Sequence, residues 1–222
     1  MINNNLILLQ ARTSSSRLKN KILLPIKNKP LFIYCYERLK KSNTKIICVT
    51  SSHFSDDIVE EICIKNKINY FRGDLKNVLK RFLDCTSKVD ENTNIIRATA
   101  DNPLPDIFFL EKCLNIYIKN KLDFFFPESN FFGLPYGLNL EIVKLKILRK
   151  LKKTKLNQEH VTWDLKKKIV FNKIEKNYFI HKNLSKFNFS IDTIDDYLLI
   201  KNILEKYNDF MSYENILRNE FK

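Results

Sequence analysis

Glycine and proline are scarce in this chain: three Gly and six Pro among 222 residues. That excludes a collagen-like, low-complexity or disordered protein and leaves few turns that glycine could make. Cysteine is odd in number, at five (Cys35, Cys48, Cys63, Cys85 and Cys113), and no Cys-x-x-Cys pair occurs. This fits reduced, buried small hydrophobes in a cytoplasmic protein. No apolar run approaches the roughly 18 residues of a membrane span. The opening MINNN lacks the basic and apolar regions of a secretory signal. No repeat, linker or charge block divides the sequence, so residues 1–222 are expected to form one domain.

What is abundant is apolar material, 44% of the residues, and positive charge: 39 Lys and Arg against 25 Asp and Glu, a formal net charge of +14. Such a balance fits a nucleic-acid or membrane surface, or a Lys-rich composition combined with an anionic small substrate. The lysines are scattered, and their densest runs (Lys40-Lys41, Lys152-Lys153, Lys166 to Lys168) fall at expected helix ends or turns, where they are solvated. Phenylalanine sits mostly in apolar runs and is not interleaved with cations, as a single-strand-binding face would require. Neither a nucleic-acid nor a membrane partner is expected.

Strand and helix patterns alternate. Apolar runs at 6–11, 45–51, 68–71, 94–99 and 123–126 read as buried strands. Between them, Pro30 to Ser42, the residues after Asp56, Val78 to Leu83 and 107–120 carry helical spacing, with Pro30 near the first turn of one helix and Asp56 capping another. The order βαβαβαβαβ demands a mostly parallel sheet with helices on both faces, a three-layer Rossmann-like α/β fold. From about 130 to 185 the alternation loosens. A strand in LPYGLNLEIV, a basic helix at 144–153 and a single helix in QEHVTWDLKKK read as a small arm or lid on the acceptor side or at a dimer contact. FNFSID, 187–192, reads as a returning strand, followed by helices from Asp195 to Tyr207 and at 212–221.

The first strand empties into a loop holding Arg12, Arg17, Lys19 and Lys21 among Thr13, Ser14, Ser15 and Ser16. Hydroxyls, backbone N–H groups and fixed positive charge at the carboxyl edge of an open sheet suit a phosphate chain. The same residues also fit a solvated loop. Asp101 follows the strand 94–99. It reads as a carboxylate aimed at the crevice, where Mg²⁺ would join it to phosphate oxygens, or as a helix cap. Arg81 fits either a ligand contact or a structural ion pair.

These segments fall in a familiar order. Gln10-Ala11-Arg12-x-x-Ser15-Ser16-Arg17-Leu18-x-x-Lys21 resembles the opening motif of the cytidylyltransferases, most closely the spore-coat polysaccharide group, which is related to the acylneuraminate and Kdo cytidylyltransferases. Lys19-Asn20 stands where that family has Pro-Gly; Asn still enters left-handed backbone space. Phe71-Arg72-Gly73, with Val78-Leu79-x-Arg81-Phe82, resembles a second motif. Arg97-x-Thr99-x-Asp101-Asn102-Pro103-Leu104 resembles a third. Pro135-x-Gly137-x-Asn139-x-Glu141, Gln158-Glu159-His160-Val161-Thr162 and Ser190-Ile191-Asp192-Thr193-x-x-Asp196 resemble the rest. Asn77, Asn102, Asn139 and Gln158 depart from the family pattern.

The resemblance implies a nucleotidyltransferase fold and transfer of CMP from CTP to an acidic sugar or related anionic acceptor, with pyrophosphate released, in surface-glycan precursor synthesis. Catalytic residues would be Arg12, Lys21 and Asp101. The nucleotide would be held by Gln10, Ala11, Arg12, Ser15, Ser16, Arg17, Lys21, Arg72, Gly73 and Thr99. Asp101 and Asp192, on neighbouring strand tips, would bind Mg²⁺. Tyr136, Gly137, Glu141 and His160 would face the acceptor, and the enzyme would be a homodimer. A glycosyltransferase of similar sheet architecture is the rival enzyme class, but its usual Asp-x-Asp metal motif does not occur. A basic nucleic-acid-binding module is the rival of another kind.

Overall fold

The computed structural model describes residues 4–40, 44–168, 171, 174–208 and 211–221. Its frame is a six-stranded sheet made of β1 (Asn5–Gln10), β4 (Lys45–Ser51), β5 (Tyr70–Gly73), β6 (Asn94–Thr99), β7 (Phe124–Phe125) and β8 (Glu141–Lys144). The spatial order is β5-β4-β1-β6-β8-β7. A separate two-stranded ribbon joins β2 (Pro25–Ile26) to β3 (Lys29–Pro30). Its two turn residues, Lys27 and Asn28, both have positive φ, at 51° and 62°, the twist that a two-residue hairpin prefers.

The strands β1, β4, β5 and β6 run parallel, while β8 runs antiparallel to both β6 and β7. The chain moves outward from β1 through β4 to β5 and then returns to β6 on the other side of β1. The reversal opens a crevice at the carboxyl ends of β1 and β6, the place where open α/β sheets bind ligands.

The helices are α1 (Leu31–Lys40), α2 (Asp57–Lys65), α3 (Val78–Cys85), α4 (Ile107–Lys119), α5 (Ser129–Phe132), α6 (Leu145–Arg149), α7 (Lys155–His160), α8 (Trp163–Lys166), α9 (Ile194–Glu205) and α10 (Tyr213–Glu220). Alternation along β1 sends Ile7 and Leu9 to one face of the sheet and Leu6 and Leu8 to the other. The first face packs with α1, α2, α4, α9 and α10, and the second with α3, α6, Val161 and Leu165. The three layers expected from the alternation are therefore present. A buried ion pair, Arg38 to Asp106, ties α1 to the start of α4 and to the Tyr213 N–H of α10.

Several local expectations change. The predicted continuation of α1 through Lys41 and Ser42 lies outside the described residues. The run 187–192 forms no ladder strand; its one bridge pairs Asn188 with Tyr136, and Phe189, Ser190 and Ile191 are all buried, so strict alternation is not kept. The single helix read in QEHVTWDLKKK is two, α7 and α8, broken at Val161, whose φ is +54°. Among the described residues no helix is long and apolar enough to cross a membrane.

Candidate active site

The crevice is a cleft of about 550 Å³. One wall is the basic loop, and Thr13 is the point that fixes it. The Thr13 carbonyl accepts from the N–H groups of Ser15 and Asn20, each at 2.9 Å. Its own N–H and hydroxyl donate to the buried carboxylate of Asp56, both at 2.7 Å. Asp56 also accepts from the N–H and hydroxyl of Ser51 at the end of β4. Asp56 precedes α2 as predicted, but its side chain makes no cap bond there; it staples the loop to β4. Burial works against its ionisation, and the four hydrogen bonds outweigh burial and hold its pKa below the usual carboxylate range. Asn20, which stands where the resembling motif has Gly, then adopts the left-handed conformation at φ 58°, and a 3₁₀ turn over Lys21–Leu23 carries Lys21 into the cleft.

There the Lys21 ammonium meets three oxygens: Asp101 Oδ2 at 2.7 Å, Asp192 Oδ1 at 2.9 Å and the Ile191 carbonyl at 2.7 Å. Arg17 also reaches Asp192 Oδ1, at 2.8 Å. The two aspartates converge as expected, although Asp192 sits on no strand tip. The Ile191 N–H bonds to the Asp101 carbonyl, and Asp196 and Thr193 close a capping box just beyond it. Asp101 is not a cap either; α4 is capped by Asp106. Two carboxylates and a carbonyl gathered around one positive charge form a hard, all-oxygen donor set, which fits Mg²⁺ or Mn²⁺ completed by phosphate oxygens. No cluster of three or more His, Cys, Asp or Glu forms a metal site among the described residues.

The floor of the cleft is a charged network in the middle of the sheet. Arg97 on β6 donates to Gln10 Oε1 and to Glu141 Oε1, the latter at 2.7 Å. Lys166 pairs with the same Glu141 oxygen at 2.5 Å, and the Thr162 hydroxyl donates to Oε2 at 2.6 Å. Glu141 is fully buried. Burial alone would raise its pKa; the charges of Arg97 and Lys166, with the Lys166 and Thr162 hydrogen bonds, reverse this and bring it to about 2. Val161 makes a tight turn in which Thr162 N–H bonds to the His160 carbonyl. With φ 54° and ψ −61° this is a γ-turn, a positive-φ conformation unusual for a β-branched residue. The turn sends Thr162 down to Glu141 while His160 and Trp163 stay on the cleft wall, their rings 5.6 Å apart.

The model of the family described as "Cytidylyltransferase" matches residues 6–218. The chain belongs to the cytidylyltransferase family. It is 27% identical over 219 residues to the spore coat polysaccharide biosynthesis protein SpsF of Bacillus subtilis, over 92% of this chain and 88% of that protein. It is 36% identical over 160 residues to the uncharacterized protein MJ1063 of Methanocaldococcus jannaschii, covering 70% of this chain and 64%, just under two thirds, of that one. In structure it superimposes on a cytidylyltransferase from Leptospira borgpetersenii with a TM-score of 0.83 at 28% identity, over 97% of this chain and 93% of that one.

For this cytidylyltransferase, the cleft gathers most of the residues singled out in the sequence: Gln10, Arg12, Ser15, Ser16, Arg17, Lys21, Thr99, Asp101, Tyr136, Glu141, His160 and Asp192 all line it. Ala11, Arg72, Gly73 and Gly137 do not. Ala11 is buried behind the loop. Arg72 is turned away, held by Asp57, Glu60 and the carbonyls of Ser51 and His53. A Cβ on Gly73 would meet Arg81 Cγ at 2.8 Å, so this glycine makes room for Arg81 and not for a base. Arg81 itself donates to the Asp74 and Leu75 carbonyls, not to a carboxylate. Gly137, at φ +90°, lets the backbone of Phe189 and Ser190 pass at a distance no Cβ could tolerate. Sequence reasoning missed Trp163 and Lys166 as cleft residues and gave Arg97 no role of its own, although it stands in a recognised motif; Asn139 lines the cleft within the segment read as acceptor-facing. The signal for Arg97 was available: a cation inside an otherwise apolar central strand needs a buried partner.

Proposed function

We propose that the protein transfers CMP from CTP to an acidic, sugar-type acceptor, releases pyrophosphate and depends on Mg²⁺. The observation that carries this reading is the meeting of Lys21 with Asp101 and Asp192 beside Arg12 and Arg17, which joins cations for a triphosphate to oxygen donors for a metal in one cleft. Mg²⁺ held by Asp101 and Asp192 would neutralise phosphate charge and lower the pKa of the attacking hydroxyl. Arg12, Arg17 and Lys21 bind the triphosphate and stabilise the charge that grows on leaving pyrophosphate. Gln10, Ser15, Ser16 and Thr99 complete the nucleotide end. Because Arg72 is held elsewhere, selection of cytosine falls to the Gln10–Ser16 segment.

At the opposite end, Arg97 and Lys166 are balanced by Glu141 and Glu159, so an anionic acceptor would be held by taking one of these cations over from its carboxylate. Tyr136, His160 and Trp163 supply polar atoms and flat rings of the kind that sugars pack against. By analogy with the role that SpsF's name records, the product would be an activated sugar for a surface glycan.

The test is pyrophosphate release from CTP, ATP, GTP or UTP with Mg²⁺ and a panel of acidic sugars, paired with thermal shifts. CTP at about 100 times its Kd adds about 2.7 kcal/mol. For a chain of this size that raises Tm by about 5–11 °C. Equal shifts for the four nucleotides would refute cytidine selectivity. CTP-selective binding without pyrophosphate release from any acidic sugar would refute the acceptor class.

A further inference from the structure

Lys21 lies on the point where the two metal-site carboxylates meet. Its ammonium has three N–H bonds, and the structure gives each an oxygen, from Asp101, Asp192 and Ile191. These come from segments 80, 170 and 171 residues away in sequence, so the contact is a property of the folded cleft and not of a local turn. The side chain is only 9% exposed, and the 3₁₀ turn behind left-handed Asn20 fixes its direction. With Arg17 on Asp192, two carboxylates face two cationic side chains, and the group is neutral.

From this geometry we infer that Lys21 is a built-in plug of the divalent-cation site: metal and ammonium compete for Asp101 and Asp192, and a metal ion enters only when Lys21 leaves. A divalent ion arriving alone would have to push a positive charge off both carboxylates while gaining no anion, leaving two positive charges in excess. A nucleoside triphosphate changes this. Its phosphates offer Lys21 a new anionic partner, so the ammonium can withdraw as the metal enters, and the phosphate charge balances the ion. Metal and nucleotide would therefore bind as a pair. This keeps the site from filling with metal in the absence of nucleotide. The triphosphate as the partner that draws Lys21 out rests on the proposed function; the competition for the carboxylates does not.

The experiment uses the whole protein and Mn²⁺ as the probe, with free Mn²⁺ measured by its electron paramagnetic resonance signal in nucleotide-free buffer. Wild type is expected to take up Mn²⁺ weakly, and Lys21→Met to bind it roughly tenfold tighter or more, since a unit charge is removed beside the site. Adding Asp101→Asn to Lys21→Met should abolish the gain and so assign it to this site. Lys21→Gln, which keeps a donor for the Ile191 carbonyl, serves the same comparison if the Met variant does not fold. Equal Mn²⁺ affinity in wild type and both Lys21 variants would overturn the plug, as would a gain that survives Asp101→Asn. A second titration adds CTP to wild type. Tight Mn²⁺ uptake with CTP, alongside weak uptake without it, supports the paired binding. If the Lys21 variants gain Mn²⁺ affinity while CTP has no effect on wild type, the plug stands and the nucleotide assignment fails.

Discussion

Replacing Glu141 by Gln removes the charge that two cations share on the cleft floor. Its ordinary pKa of 4.5 falls to about 2 in the folded protein. At about 1.4 kcal/mol per unit, that difference is worth about 3 kcal/mol of stability at neutral pH. An independent estimate agrees: breaking a buried ion pair by removing one partner costs about 3–5 kcal/mol. The lower end applies, because Lys166 is partly exposed and can turn to water. Glu141→Gln should therefore lower the unfolding free energy by about 3 kcal/mol at pH 7, or Tm by about 6–12 °C. The pH dependence gives the sharper check. A depressed carboxyl pKa contributes stability that is complete above the unfolded value and is lost as pH falls towards the folded one. Of the 3 kcal/mol, about 1 should be gone by pH 4 and about 2 by pH 3. Urea titrations of wild type and variant at pH 6, 4 and 3 measure this, since other carboxylates titrate in both proteins and cancel in the difference. The gap between the two proteins should close from about 3 to about 1 kcal/mol as the pH falls from 6 to 3. A gap that stays constant would refute the argument that Arg97 and Lys166 hold Glu141 ionised.

Asp56→Asn keeps the size of the side chain but turns one acceptor oxygen into a donor facing the Thr13 or Ser51 N–H. It should cost about 2 kcal/mol in urea unfolding and raise the Kd for CTP, because the loop that carries Arg12 loses its anchor; an unchanged Kd would mean that the loop is fixed by other contacts. Gly137→Ala would place a Cβ 2.4 Å from Phe189 C and Ser190 N at a φ of +90°. It should destabilise the chain by about 3 kcal/mol or more, read as a Tm loss of about 6 °C or more; a stable Gly137→Ala variant would mean that the 187–190 crossing is free to shift.

Local pattern carried most of the frame. β1, β4 and β6 are buried runs with alternating faces, and the helices between them carry helical spacing, so their existence and order could be read directly. Direction was harder to read. The segment containing β8 could be recognised as a strand, but nothing in Glu141–Lys144 says that it runs against β6, because a strand buried on both faces has the same composition either way. Phe189, Ser190 and Ile191 are all buried without a ladder: the run pairs only locally, through Phe187 and Phe189 with Tyr136 and through Ile191 with the Asp101 carbonyl, so its apolar spacing marked burial and not a strand. Val161 is the reverse case, a residue whose side chain argues against the very conformation it adopts. Asp56 shows why long-range anchors stay hidden. Its place before an apolar helical run is that of a cap, while its carboxylate is spent on Thr13, 43 residues away.

The cleft also corrects the meaning of the net charge. A chain at +14 invites the view that it captures anions by bulk attraction. Yet the cleft is lined by five cations (Arg12, Arg17, Lys21, Arg97, Lys166) and four carboxylates (Asp101, Asp192, Glu141, Glu159), almost in balance. Most are already committed to one another: Arg17 and Lys21 to the aspartates, Arg97 and Lys166 to Glu141. Long-range attraction from scattered surface lysines is screened within about 8 Å at physiological salt and cannot tell one anion from another. Selectivity has to come from partner exchange inside the cleft. A ligand is accepted only if its own charges replace the internal pairs it breaks, and a triphosphate arriving with a divalent cation brings both signs at once. Of the two amide departures from the family pattern on this side, Asn139 lines the cleft, where a carboxylate would add a negative charge to the exchange, whereas Gln158 bonds to the Lys153 carbonyl and does not line it.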